Sequence, residues 1–121
     1  MTNIVLEHAE SGELLSCSAK GHSGYAKSGS DIICSAITIL LRTTLQVLSE
    51  SKLDLSVKSS KEGELEFNVM NKGNLLDEQK SLLKYSGIFL EKGFNSLCKE
   101  FPEYVRFNII WLLIGEYHGK N

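Results

Sequence analysis

Residues 21–49 read GHSGYAKSGSDIICSAITILLRTTLQVLS. The first part of this stretch is rich in small residues and contains three glycines, which is typical of a loop. From Asp31 onward, apolar residues recur at the helical period of about 100° per residue. The stretch therefore predicts a glycine-rich loop that leads into a long helix over residues 31–49.

The predicted helix is apolar over most of its circumference. One side gathers Ile33, Ile37, Leu40, Leu41, Val47 and Leu48, and the arc is widened by Ile32, Ala36, Ile39 and Leu45. Only a narrow stripe is polar, made of Ser35, Thr38, Arg42, Gln46 and Ser49. We expect a helix of this kind to be covered on more than one side. Cys34 lies at the boundary between the apolar arc and the polar stripe, with Thr38 beside it.

Alternating segments flank this helix on both sides. They predict five strands, over residues 3–7, 13–19, 53–59, 64–70 and 104–110, of which the first four form two hairpins. A second helix is predicted before the last strand, with Asn74 as its cap and its end near Pro102. In the second strand Leu15, Cys17 and Ala19 are expected to face the core, and the second helix is expected to pack through Leu82, Ser86, Phe89, Gly93 and Leu97. The predicted fold class is α/β, a layered α/β sandwich of order β-β-α-β-β-α-β with two long helices packed on antiparallel strands.

Composition limits the classes of function. A chain of 121 residues with 42% hydrophobic and 23% charged residues is expected to form one domain, 1–121, with an apolar C-terminal extension over about 110–121. A net charge of −2 gives no reason to expect nucleic-acid binding. The start, MTNIVLEHAE, lacks the pattern of a signal peptide, and the longest unbroken apolar run has six residues, so we expect no membrane span. Three widely spaced cysteines favour free thiols in a reducing cytoplasm.

Cys34 has two interpretations. If Asp31 caps the helix, Cys34 lies in the first turn, where unpaired backbone N–H groups and the helix dipole favour a thiolate. Since the thiolate is the nucleophilic form, the position suits a catalytic cysteine. The alternative is an inert thiol at the start of a core helix.

His22 adds to the catalytic interpretation. An eleven-residue loop containing Gly24 and Gly29 could fold back and bring this histidine to the thiol as a general base. Asp31 could cap the helix, orient His22, or do both. Thr38 either offers a hydroxyl to the site or bonds its own backbone. Cys17, by contrast, is predicted to be a core residue, and Cys98 is predicted to be structural or exposed rather than catalytic.

A zinc site is the weaker alternative. The available ligands have no recognisable spacing: His8, Cys17, His22, Cys34 and His118.

The same residues carry a resemblance. The stretch GHSGYAKSGSDIICSAIT resembles the signature of the bacterial ribosomal-processing cysteine proteases, the Prp family: a Gly-His pair, a glycine-bearing loop, Asp-Ile-x-Cys, and a hydroxyl residue four positions beyond the cysteine. The matching positions are Gly21, His22, Gly29, Asp31, Ile32, Cys34 and Thr38.

The resemblance implies a function. Family members remove a short N-terminal extension from ribosomal protein 27 of the large subunit, cutting after an aromatic residue. By this resemblance Cys34 is the nucleophile, His22 the base, and Asp31 and Thr38 are supporting residues. The substrate-binding loop would consist of Gly21, Ser23, Gly24, Tyr25, Gly29 and Ser30. The family also implies a homodimer that uses no metal or organic cofactor.

The chain departs from the family at two residues and in its tail. Thr38 stands where serine is frequent, and Ser23 where alanine is frequent. The tail beyond Ile110 is longer and more apolar than expected for the family. A different class of function stays open at this point, namely a non-catalytic module that binds a ribosomal protein or an assembling ribosomal subunit.

Overall fold

The computed structural model describes residues 1–21, 32–60 and 64–113. Five strands and two helices follow one another in the predicted order: β1 (Thr2–Ala9), β2 (Leu14–Lys20), α1 (Ile32–Ser49), β3 (Leu55–Ser59), β4 (Leu65–Val69), α2 (Asp77–Glu100) and β5 (Val105–Leu112). The predicted α/β fold class is confirmed. The predicted C-terminal extension begins inside β5, and its residues from 114 onward lie outside the described part of the chain.

The strands form one mixed sheet in the order β3-β4-β2-β1-β5. Three neighbouring pairs are antiparallel, as predicted, whereas β1 and β5 are parallel. The parallel pair arises because α2 is a crossover helix: it carries the chain from the end of β4 back to the end of the sheet where β4 began, so β5 runs parallel to β4 and therefore to β1.

Strand direction determines where α1 begins. Both β2 and β3 are antiparallel to β4, so β2 and β3 point the same way. The helix between them must therefore run back along the sheet. As a result α1 begins at the end of the sheet where β2 ends, and it finishes at the end where β3 begins.

The core lies between the sheet and the two helices. Its central members are Ile4, Leu6, Leu14, Cys17, Ile33, Leu41, Phe67, Val69, Leu90 and Phe94, each at most 1% exposed. At 25 cal/mol per Å² of apolar area, burying one such leucine or phenylalanine contributes about 2 kcal/mol. The opposite face of the sheet carries polar residues such as Lys58, Glu66 and Asn108, which is the expected solvated side.

The predicted core face of β2 is wrong at one residue. Glu7 pairs with Ser16 while His8 pairs with Leu14, so Leu15 is an extra residue on β2. A bulge of this kind reverses the alternation of side chains. Leu14 therefore joins Cys17 in the main core, and Leu15 packs instead with Ala9 and Leu112 in a small separate cluster.

The start of α2 differs from the prediction. The helix begins at Asp77 after Leu76, so Asn74 is not its cap. Instead the Leu76 backbone N–H donates to Gln79 Oε1 at 2.9 Å. Gln79 Nε2 in turn donates to the Ser51 carbonyl at 3.0 Å, which ties α2 to the turn after α1.

The packed face of α2 also differs. The face against the core contains Leu83, Ser86, Gly87, Leu90 and Phe94, whereas Phe89 is 51% exposed. The sequence offers two overlapping apolar stripes on this helix, and only one of them can face the sheet. Gly93 packs closely against Leu40 of α1, as the small residue on the stripe suggested.

Helix α1 is covered by the sheet and, along the flank of Leu40, by α2, whereas its outer face stays exposed within the described chain. Ile33, Ile37, Leu41 and Leu48 lie against the sheet, but Ile32 is 59% and Ile39 64% exposed. The helix is long and apolar enough to cross a membrane by length and composition, a test that the core helix of a water-soluble protein also passes. Counting unbroken apolar runs missed this property because polar residues interrupt the run.

Candidate active site

Cys34 is the third residue of α1. The N-terminal end of a helix carries the positive end of the helix dipole, which favours negative charge nearby. The Cys34 side chain is half-buried, beside the core residue Ile33 and the exposed Ile32. A thiol in this position is both accessible and close to groups that stabilise negative charge.

Thr38 lies one helical turn after Cys34, so the two side chains share one flank of α1. Thr38 is also half-buried. Both residues therefore lie at the rim of the core rather than inside it. The structure brings these two predicted site residues together.

Gly21 directly follows β2 and lies before His22 in the chain. Its φ is +92°, a region that favours glycine, and a Cβ there would lie 2.7 Å from the Met1 carbonyl oxygen. Its own carbonyl accepts a hydrogen bond from Thr2 Oγ1 at 3.3 Å. The sequence marked Gly21 as a loop residue, but this close contact with the start of β1 was visible only in the fold.

The remaining predicted site residues lie outside the described part of the chain. They are His22, Ser23, Gly24, Tyr25, Gly29, Ser30 and Asp31. Their assignments stay predictions. Chain direction nevertheless fixes the two ends of this segment, because β2 ends and α1 begins at the same end of the sheet.

The other two cysteines are poor nucleophiles. Cys17 is 1% exposed in the core, as predicted, and burial raises the pKa of its thiol far above the ordinary value. Burial also raises the pKa of Cys98, whose Sγ lies 3.7 Å from the Val105 carbonyl oxygen. A raised pKa disfavours the thiolate, so Cys34 is the cysteine whose position best suits nucleophilic chemistry.

Metal ligands do not cluster in the described part of the chain. Among residues 1–21, 32–60 and 64–113 there is no group of three His, Cys, Asp or Glu side chains that could hold a metal ion.

A mixed α/β sheet with a rim thiol at the start of a crossover helix fits the class of cysteine hydrolases. Comparison with known proteins identifies the family. The sequence profile described as "Cysteine protease Prp" matches residues 1–106, which is most of the chain. The chain therefore belongs to the Prp cysteine protease family and is a cysteine protease, which confirms the resemblance seen in the sequence.

Solved structures share the fold. One is an essential ribosomal processing protease Prp from S. aureus with a covalently linked product peptide, at TM-score 0.71 and 17% identity over 90% of this chain and 99% of that chain. The same protease with a substrate peptide gives TM-score 0.66 and 16% identity over 90% and 99% of the two chains. The protein SMU.848 from Streptococcus mutans gives TM-score 0.65 and 23% identity over 93% and 96%. A search of curated proteins found no match.

Proposed function

We propose that this protein is the endopeptidase that removes the N-terminal extension of ribosomal protein 27 of the large subunit. It would cut after an aromatic residue in an apolar segment, in the cytoplasm. The observation that carries the proposal is the family match over residues 1–106, which includes Cys34 at the start of α1. The S. aureus relative, described as a ribosomal processing protease in complex with a substrate peptide, supports the choice of substrate.

The proposed mechanism begins at Cys34. Its thiolate attacks the scissile carbonyl, and the backbone N–H groups at the start of α1 stabilise the oxyanion. His22 protonates the leaving amine, and water then hydrolyses the acyl-enzyme. Asp31 is proposed to orient His22 or to cap α1, and Thr38 to contribute its hydroxyl beside the thiol. The loop residues Gly21, Ser23, Gly24, Tyr25, Gly29 and Ser30 are proposed to close on the peptide.

The decisive experiment uses the precursor form of ribosomal protein 27. Incubation with the native protein, followed by intact-mass measurement, is expected to show loss of a short N-terminal peptide ending in an aromatic residue. Cys34→Ala and His22→Ala are each expected to lower the rate by at least about a thousandfold, as expected when a nucleophile or its base is removed. Cys98→Ala is the matched control, because it removes another half-buried thiol and is expected to retain activity.

Two outcomes would contradict the proposal. If Cys34→Ala processes the precursor at the native rate, the proposed mechanism is wrong. If the native protein binds the precursor tightly but releases it uncut, a binding module without catalysis is the better description.

The outer surface of the helices supports the expected homodimer. Ile39 and Val47 of α1 and Tyr85 and Phe89 of α2 are between 46% and 72% exposed. Apolar residues gathered on one face are typical of an interaction surface. Sedimentation analysis is expected to give a dimer, and Phe89→Glu is expected to shift it toward the monomer.

A further inference from the structure

A groove runs between the second half of α1 and the edge strand β3. Its volume is about 480 Å³. The helix wall is formed by Leu45, Gln46 and Ser49, and the strand wall by Leu53, Leu55 and Val57. Four of the seven lining residues are apolar and three, Gln46, Ser49 and Asp54, are polar, and the groove is open to solvent.

The groove lies on the same flank of α1 as the candidate nucleophile. At 100° per residue, Cys34 and Thr38 point within about 20° of Leu45 around the helix axis. Leu40, which packs on Gly93 of α2, lies on the other flank. Following the flank of Leu45 toward the start of the helix therefore leads from the groove to Thr38 and Cys34.

Strand β3 presents backbone groups along this groove. Met70 N–H donates to the Asp54 carbonyl at 2.7 Å, and Ser60 N–H donates to the Glu64 carbonyl at 3.0 Å. In an antiparallel pair the bonded residues alternate, so Leu55, Val57 and Ser59 direct their N–H and C=O groups away from β4. Within the described residues β3 is the last strand on this side of the sheet, and no other strand pairs with those groups.

We propose that the peptide substrate binds in this groove as an added strand along β3. The bound segment would be the extended chain on the N-terminal side of the scissile bond, with apolar side chains at every second position facing Leu45 and Val57. Backbone hydrogen bonds to β3 would give affinity and the apolar contacts would give selectivity, as in other cases of strand addition. This proposal rests on the proposed peptidase function and names its substrate-binding surface.

The distance from the far end of the groove to Cys34, and the charge at that end, agree with this occupant. From Cys34 to Ser49 the helix rises about 22 Å, which an extended chain covers with about seven residues. Asp54 is exposed at the far end of the groove, where the positively charged amino terminus of a short extension would arrive. The groove, together with the flank of α1 that leads from it to Cys34, thus fits a peptide that begins at Asp54 and is cut at Cys34.

The test compares two edge-strand variants of the full chain, Val57→Glu and Ile110→Glu. Val57 is 51% and Ile110 is 47% exposed, both are β-branched, and they lie on opposite edges of the sheet. We expect Val57→Glu to raise the KM for a precursor peptide by about tenfold with little change in kcat, the equivalent of losing one buried valine contact. Ile110→Glu is expected to stay within about twofold of native. Equal KM values for the two variants would overturn the proposal.

A second measurement uses only the native protein and does not depend on variant folding. The peptide is shortened from its N-terminus, or N-methylated at alternate residues ahead of the scissile bond. We expect KM to rise as the outer apolar residues of the peptide are removed. We also expect N-methylation to raise KM more at the alternate residues whose N–H groups bond to β3 than at the residues between them. A KM that depends on neither would refute strand addition. Failure of the peptidase proposal is distinct, because the native protein would then cut none of these peptides.

Discussion

Replacing Gly87 with alanine should reveal how tightly α2 packs on the sheet. A Cβ at Gly87 would lie 2.5 Å from His8 Cε1 and 3.2 Å from His8 Nδ1. The His8 ring is 4% exposed and stacks on Trp111 with a centroid distance of 4.9 Å. Its Nδ1 also lies 3.2 Å from the Gly12 carbonyl oxygen, so the ring is held on several sides and cannot easily move aside.

Gly93 provides the matched control in the same helix. A Cβ there would lie 2.9 Å from Leu40 Cδ1, which is the end of a flexible, half-buried side chain. Both substitutions gain about 1 kcal/mol of helix propensity. Overpacking against His8 costs about 1–3 kcal/mol, and loss of the Nδ1 contact costs about 1 kcal/mol more. We therefore expect Gly87→Ala to be less stable than Gly93→Ala by about 2 kcal/mol.

Urea unfolding followed by circular dichroism measures this difference. The double variant with both His8→Ala and Gly87→Ala should lose less stability than the two single variants lose in total, because the ring that clashes with the added methyl group is then absent. If Gly87→Ala proves as stable as Gly93→Ala, the packing of His8 between α2 and Trp111 is not as described.

Three further predictions follow from the structure. Cys17→Ala should reduce the loss of stability at alkaline pH. The pKa of the Cys17 thiol is raised in the folded protein, so the thiol stabilises the fold below the ordinary pKa of 9.0, and this contribution is lost as the pH rises above it. In urea unfolding, the free energy of unfolding of the native protein minus that of the variant should fall by up to about 1.4 kcal/mol per pH unit above pH 9.0. Gly21→Ala should destabilise the fold by about 1–3 kcal/mol, since both its φ and its contact with Met1 exclude a side chain; an unchanged melting temperature would contradict this. Gln79→Ala should lower the free energy of unfolding by about 1–2 kcal/mol, because the hydrogen bonds to Leu76 and Ser51 are lost, whereas Lys80→Ala at an exposed neighbour should change it little. Equal unfolding midpoints for the two variants would show that these hydrogen bonds do not stabilise the fold.

Local sequence pattern determined the elements and the candidate nucleophile. The 100° period placed α1 within one residue of its observed start, and the alternation of β2 correctly placed Cys17 and Ala19 in the core. The element order and the position of Cys34 at a helix start followed in the same way. These features depend on neighbours within a few residues, which the sequence displays directly.

Tertiary structure decided what depends on residues far apart in the chain. The bulge at Leu15, the choice between the two apolar stripes of α2, and the parallel pairing of β1 with β5 were each settled by packing partners more than five residues away in the chain. The groove that joins Leu45 to β3 arises only because α1 and the edge strand are laid side by side by the crossover. Sequence periodicity shows that a face is apolar, but only the assembled layers determine which apolar face is buried and which stays exposed.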